Sequence, residues 1–252
     1  MLFDTHAHYD DKRFEGEAIE IIASLPSKGV GNVLLPGCDV KTSKKCIELC
    51  EKFDYAYAAV GFQPGEIDEK TDIKDLEIIE ELAKNKKVKA IGEIGLEYYY
   101  GKQHAEKQKK FLKEQLLMAQ RLDLPVIIHD REAHEDTLQL LSNYKGIGVI
   151  HCFSGSAQLA KRFLKLGFYI SFTGVLTFNN ARKAVEAAKE IPIERIMIET
   201  DSPYMAPVPY RGQRCDSTMV IEVAKKLAEI KNMTFEKVAR ITTENGKKLF
   251  RI

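Results

Sequence analysis

The chain has 252 residues, 44% of them hydrophobic and 30% charged, with a formal net charge of +1. That balance suits a globular core and excludes disordered and fibrous classes. It also excludes a global basic field, so any site for a polyanion has to be local.

In chain order, short apolar runs alternate with longer amphipathic stretches. The runs are "LFDTHA", "GNVLLPG", "YAYAAVG", "VKAIGEIG", "LPVIIH", "GIGVIHCF", "GFYISFTG" and "RIMIETD". Rich in Val, Ile and Leu and closed by Gly, Pro or polar residues, they have the character of strands buried on both faces of a parallel sheet. Between them lie helix-periodic segments such as "EGEAIEIIASL", "HAEKQKKFLKEQLLMAQRL" and "SAQLAKRFLKL". Two more, "TMVIEVAKKLAEI" and "FEKVARITTENGKKLF", close the chain. Ser154 or Ser156, and Asp216 or Ser217, stand where helix caps belong. No linker, repeat or low-complexity block interrupts the pattern. Eight strand–helix alternations in a chain of this size predict an α/β fold, a (β/α)8 TIM barrel, as a single domain over residues 1–252. An open doubly wound sheet fits less well, because "DTHAH" follows the first strand where that fold carries a Gly-rich phosphate loop.

The five cysteines (Cys38, Cys46, Cys50, Cys152, Cys215) are scattered without a CxxC pair and are expected to be reduced thiols. Cys46 and Cys50, four apart on one helix, suit two buried small apolar residues better than a shared metal. No stretch reaches the ~18–20 apolar residues of a membrane span, and the amino terminus lacks a basic region followed by an apolar run. A cytoplasmic protein with no membrane or protein partner is the expectation.

Active sites of such barrels lie at the carboxyl ends of the strands. Applied to this chain, that rule collects His6 and His8 at the first strand, Glu93 at the fourth and His129 at the fifth. It adds His151 at the sixth and Glu199, Thr200 and Asp201 at the eighth. Four of the six histidines are thus at strand ends, while His104 and His134 fall on helices. Strand periodicity places Asp4, His6 and His8 on one face. A single His on an apolar strand is ordinarily a hydrogen-bonded core residue, Glu93 could pair with Arg131, and Asp201 could open the turn "DSP". Six such groups at corresponding strand ends are hard to explain in that way. Imidazoles and carboxylates suit Zn²⁺ or Mn²⁺, and carboxylates with water also hold Mg²⁺. Six ligands exceed the needs of one catalytic ion and fit two divalent metal ions ~3.5–4 Å apart, which is a hydrolase arrangement.

On "FDTHAH", "GEIGLEYYY", "QLLMAQRLDLPVIIHDREAHEDTL", "HCFSGS", "GFYISFTG" and "IETDSPYMAPVPYRG", the sequence resembles the TatD family of metal-dependent deoxyribonucleases, end to end. The resemblance implies His6 and His8 on one metal, His129 and His151 on the other, and Glu93 bridging them. Asp201 would be a ligand that also orients the attacking water or takes its proton, which makes Glu93 and Asp201 the catalytic pair. It further implies hydrolysis of DNA phosphodiesters, trimming single strands from the 3′ end, with DNA as the partner. Arg131, two residues past His129, is then a candidate phosphate contact, and the planar fork of Arg suits it better than Lys would. Arg211 and Arg214 would extend the cationic rim, with Gln63 as a further contact, and the run Tyr98–Tyr99–Tyr100 could stack unpaired bases or simply pack the loop.

Four positions depart from the family pattern. Gln63-Pro64-Gly65 stands for its His-Pro run, Glu97 for its Asp after Gly-Leu, Tyr100 for a frequent Arg, and Cys215-Asp216-Ser217 for an Asn-Glu-Pro run. All four are expected on loops around the substrate, clear of the six ligands. Two other readings remain open. One keeps the metals but acts on a small phosphoester, amide or lactone; the other is a non-catalytic barrel used as a scaffold.

Overall fold

The computed structural model describes residues 1–252. Eight strands form one parallel sheet in sequence order: β1 Leu2–Asp4, β2 Val30–Pro36, β3 Ala56–Val60, β4 Val88–Glu97, β5 Val126–Arg131, β6 Gly148–Ile150, β7 Tyr169–Phe172 and β8 Ile196–Ile198. The helices are α1 Ala18–Ser24, α2 Val40–Cys50, α3 Leu76–Leu82, α4 Ala105–Leu122, α5 His134–Leu141, α6 Ala157–Lys165, α7 Arg182–Glu190, α8 Val220–Lys231 and α9 Phe235–Phe250. This is the expected barrel. None of its helices is long and apolar enough to cross a membrane.

One residue from every strand fills the barrel interior: Phe3, Leu34, Ala59, Ala90, Ile127, Val149, Tyr169 and Met197. Leu249 and Phe250, at the end of α9, pack onto the same cluster. A larger cluster lies between sheet and helices. The interior layer sets the phase of the positions nearer the carboxyl ends, since residues two further along a regular strand face the same way. Ile127 is succeeded inward by His129, and Val149 by His151.

Two strands break that phase. In β4 the pairing with β5 shifts between Ile91 and Ile94, so Glu93, three residues after the inward Ala90, joins the interior. Such irregularities commonly re-aim a side chain beside an active site. β1 ends at Asp4, sooner than the run "LFDTHA" implied. His6 and His8 therefore lie beyond the strand, and Asp4 does not share their face. Asp4 is instead buried, with its carboxylate accepting from the Thr200 backbone N–H at 2.8 Å and the Thr200 hydroxyl at 2.6 Å.

The barrel closes at this point. Thr5 donates from its N–H to Ile198 C=O at 3.3 Å, Asp201 to His6 C=O at 2.9 Å and His8 to Ser202 C=O at 2.7 Å. A parallel bridge joins Ala7 to Ser202. The first and last strands are thus sewn together just past their ends.

Candidate metal centre

Closure brings His6, His8 and Asp201 together on one side, and β5 and β6 deliver His129 and His151 on the other. Glu93 stands between them. Its Oε2 is 3.2 Å from His6 Nε2 and 3.6 Å from His8 Nε2. Its Oε1 is 2.8 Å from His129 Nδ1 and 3.0 Å from His151 Nε2. Each oxygen of one carboxylate therefore faces its own pair of histidines. Asp201 Oδ1 lies 3.6 Å from His8 Nε2 and 3.9 Å from His6 Nε2. All six candidate ligands share this one cluster.

The chemistry of the donor set fits metal ions. His6 Nε2 and His8 Nε2 are 3.1 Å apart, and His129 Nδ1 and His151 Nε2 are 3.2 Å apart. Within each pair at most one nitrogen can donate to the other while both are neutral, and lone pairs otherwise point at lone pairs. His6 stacks on His151 with centroids 4.1 Å apart and planes 7° apart, an arrangement that disfavours two imidazolium charges. Burial and the neighbouring His151 hold His6 below its ordinary pKa. Burial drives the Glu93 carboxyl upward, but His151, His129 and His6 outweigh it and keep the group well below the usual carboxylate range. Asp201 obeys the same logic, with His8 and His6 overcoming burial. Burial lowers His8, His129 and His151 as well, but the acidic side chains around them outweigh it and raise all three, so a metal ion entering the cluster would displace protons from these rings.

The far side of the cluster is organised too. His129 turns Nε2 to Glu97 Oε2 at 3.2 Å, His151 turns Nδ1 toward Glu199 Oε1 at 3.6 Å, and His8 Nδ1 lies 3.9 Å from Cys38 Sγ. Carboxylates behind ligating imidazoles fix the ring and its tautomer. Glu97 is itself held by accepting from Tyr99 N–H at 2.8 Å. Groups that could hold an ion are His6–Glu93–His151, His6–His8–Asp201 and His8–Cys38–Glu93.

The family model described as TatD related DNase matches residues 3–251. The chain belongs to the TatD-related DNase family. Like its relatives it is a metal-dependent hydrolase. It is 42% identical, over the whole of both chains, to the metal-dependent hydrolase YabD of Bacillus subtilis. It is 35% identical to YcfH of Escherichia coli, across 100% of this chain and 96% of that one. Among solved structures, the TatD homolog YjjV of Escherichia coli superposes with a TM-score of 0.94 at 31% identity, covering 100% and 98% of the two chains. The organophosphorus hydrolase of Deinococcus radiodurans, at 14% identity and a TM-score of 0.70, shares the fold alone.

Around this TatD-family cluster the expected substrate contacts divide. Arg131 ends β5 at the rim, its guanidinium 4.0 Å above the Tyr99 ring and 3.8 Å from Glu97 Oε2. Tyr98 does not serve as a platform. It is buried, with its hydroxyl donating to Asp136 Oδ2 at 2.7 Å, whereas Tyr99 and Tyr100 are 59% and 72% exposed. Gln63 turns back on its own loop and accepts from Gly65 N–H at 2.6 Å. Arg211 stands 3.7 Å over the Phe178 ring, and Arg214 pairs with Glu17 at 2.7 Å and is thereby withdrawn from the rim.

Two of the four departures are not loop residues at the substrate. Glu97 is the last residue of β4 and touches the ligand candidate His129, so this departure reaches the cluster after all. Cys215 is fully buried. Cys38 is a residue that strand-end reasoning missed. Its signal was present, since it lies two residues past the end of β2.

Proposed function

We propose that this TatD-family hydrolase cleaves phosphodiester bonds of DNA, removing nucleotides from the 3′ ends of single strands with two divalent metal ions. The observation that carries the two-ion reading is the split of Glu93, one oxygen toward His6 and His8 and the other toward His129 and His151. His6, His8 and Asp201 would hold one ion, His129 and His151 the other, and Glu93 both. Bound there, divalent ions lower the pKa of water and offset charge gathering on phosphoryl oxygens. Asp201, 13% exposed at its side chain and so reachable from the rim, would orient the attacking water and accept its proton. Glu97 and Glu199 would keep His129 and His151 in the ligating tautomer. Arg131, its fork presented at the rim, would take a non-bridging phosphate oxygen. The choice of DNA rests on the family.

The test uses metal-free protein reloaded separately with Mg²⁺, Mn²⁺ and Zn²⁺ and given a single-stranded oligonucleotide labelled at its 5′ end. A ladder shortening from the 3′ end, lost in folded Glu93→Gln and Asp201→Asn proteins, is the expected result. An intact oligonucleotide beside rapid hydrolysis of a small phosphoester, amide or lactone would transfer the same centre to the second reading, which the near-neutral net charge favours. Unchanged turnover in Asp201→Asn would remove Asp201 from the mechanism. Failure to bind any divalent ion would leave the scaffold reading.

A further inference from the structure

Beside the metal centre lies a groove of about 500 Å³ that hydrolysis at the metals leaves largely unused. Its floor begins two residues past His129 and three past His151, at Arg131 and Ser154. Tyr99, Ser156 at the amino end of α6, and Lys183 of α7 also line it. The volume is in the range of sites that take one small molecule.

The walls differ in character. Tyr99 is 59% exposed; Arg131 covers one face of its ring and Tyr100 meets it edge-on at 5.0 Å. A tyrosine braced in this way presents its remaining surface as a ready platform. Most of the remaining lining is polar or charged. Most acidic groups of the lining are already engaged: Asp130 accepts from Thr137 at 3.2 Å and meets His134 Nδ1 at 2.8 Å, and Glu135 accepts from Arg162 at 2.7 Å. Arg131 is committed to Glu97 and, in the proposed reaction, to the phosphate at the metal centre, which leaves Lys183, a groove-lining cation engaged in no ion pair, to meet a neighbouring phosphate. A phosphodiester offers Lys183 a negative charge, and a base offers a flat face to the Tyr99 ring.

We infer that this groove seats one nucleotide of single-stranded DNA next to the scissile bond, its base on Tyr99 and its phosphate toward Lys183 and the α6 end. The inference rests on the proposed DNA reading and adds a specific place for the neighbouring nucleotide. It gives His134 a part at the groove, where Asp130 fixes its ring.

The experiment measures binding of metal-loaded protein to a fluorescent oligothymidylate protected by phosphorothioate linkages, with an abasic residue moved through its last four positions. Wild type is expected to lose about tenfold in affinity when the abasic residue reaches one particular position. Tyr99→Ala is expected to lose about as much with the intact strand, and to be indifferent to the abasic residue at that position. Lys183→Ala is expected to flatten the slope of log affinity against log salt by about 0.7, one phosphate contact on a single strand. Both side chains are exposed, so the variants should fold as wild type does. Tyr99→Ala within twofold of wild type, or an unaltered slope in Lys183→Ala, would overturn the groove assignment while leaving DNA hydrolysis standing. A wild-type protein that hydrolyses small esters but neither binds nor trims DNA would overturn both.

Discussion

At the scale of single residues, Asp4 and Glu97 show how much the neighbours of a cluster decide. Burial pushes the Asp4 carboxyl up to about 7. A folded-state pKa raised above the unfolded value means that the native state keeps its proton where the unfolded chain has lost it. The stabilisation is complete at low pH and is lost as pH rises from about 4 through about 7. Asp4→Asn mimics the protonated form, with Oδ1 still accepting from Thr200 N–H and Nδ2 able to donate to the hydroxyl. Thermal midpoints of the metal-free proteins, compared from pH 4 to 8, should show the wild type losing ground to Asp4→Asn as pH rises. A constant difference would mean that Asp4 does not titrate in this window. Glu97 predicts something different. Glu97→Gln should keep the fold but weaken divalent-ion affinity by about 10–100-fold, the usual effect of disturbing a carboxylate behind a ligating imidazole. Calorimetric titration with Zn²⁺ or Mn²⁺ would check it, and unaltered affinity would free His129 from Glu97.

At the scale of elements, β4 carries the most information per residue. Gly95 lies so close to β5 that a Cβ there would sit 1.9 Å from the His129 carbonyl oxygen. Gly95→Ala should therefore force β4 and β5 apart, costing at least the ~1–3 kcal/mol of an overpacked core and displacing His129. The expected readouts are a lower thermal midpoint together with weaker metal binding. Retention of both would show that the strands slide apart freely. The elements also show what is legible in the sequence. Alternating runs disclose eight strands, and the rule that barrel sites gather at carboxyl ends finds His6, His8, Glu93, His129, His151 and Asp201 without knowledge of any contact. Local periodicity misplaces Asp4, because β1 stops before the histidines. It cannot choose among Tyr98, Tyr99 and Tyr100 either, since the choice depends on Asp136, 38 residues away from Tyr98. Gln63 and Arg214 read as open polar groups for the same reason. Their partners, Gly65 and Glu17, are set by loop conformation and by closure of the barrel.

At the scale of the whole molecule, the candidate ligands bridge the seam between the first and last strands, so occupancy and stability are coupled. A ligand that binds only the native state at 100 times its dissociation constant adds about 2.7 kcal/mol. In a protein of this size that corresponds to a rise of roughly 5–10 °C in thermal midpoint. Metal-loaded protein should show such a rise over metal-free protein, and Asp201→Asn a smaller one. Equal midpoints with and without metal would mean that the ions do not brace the seam.

The seam also dictates an order of events during synthesis. Asp4 and Thr200, whose hydrogen bonds help to close it, are 196 residues apart in the chain. A ribosome releases His6 and His8 early and Asp201 only near the end, so the nascent chain holds half a metal site with no counterpart for most of its elongation. On the proposed role of Asp201, activity would await completion of the last strand, and a product truncated ahead of it would carry the histidines without that carboxylate.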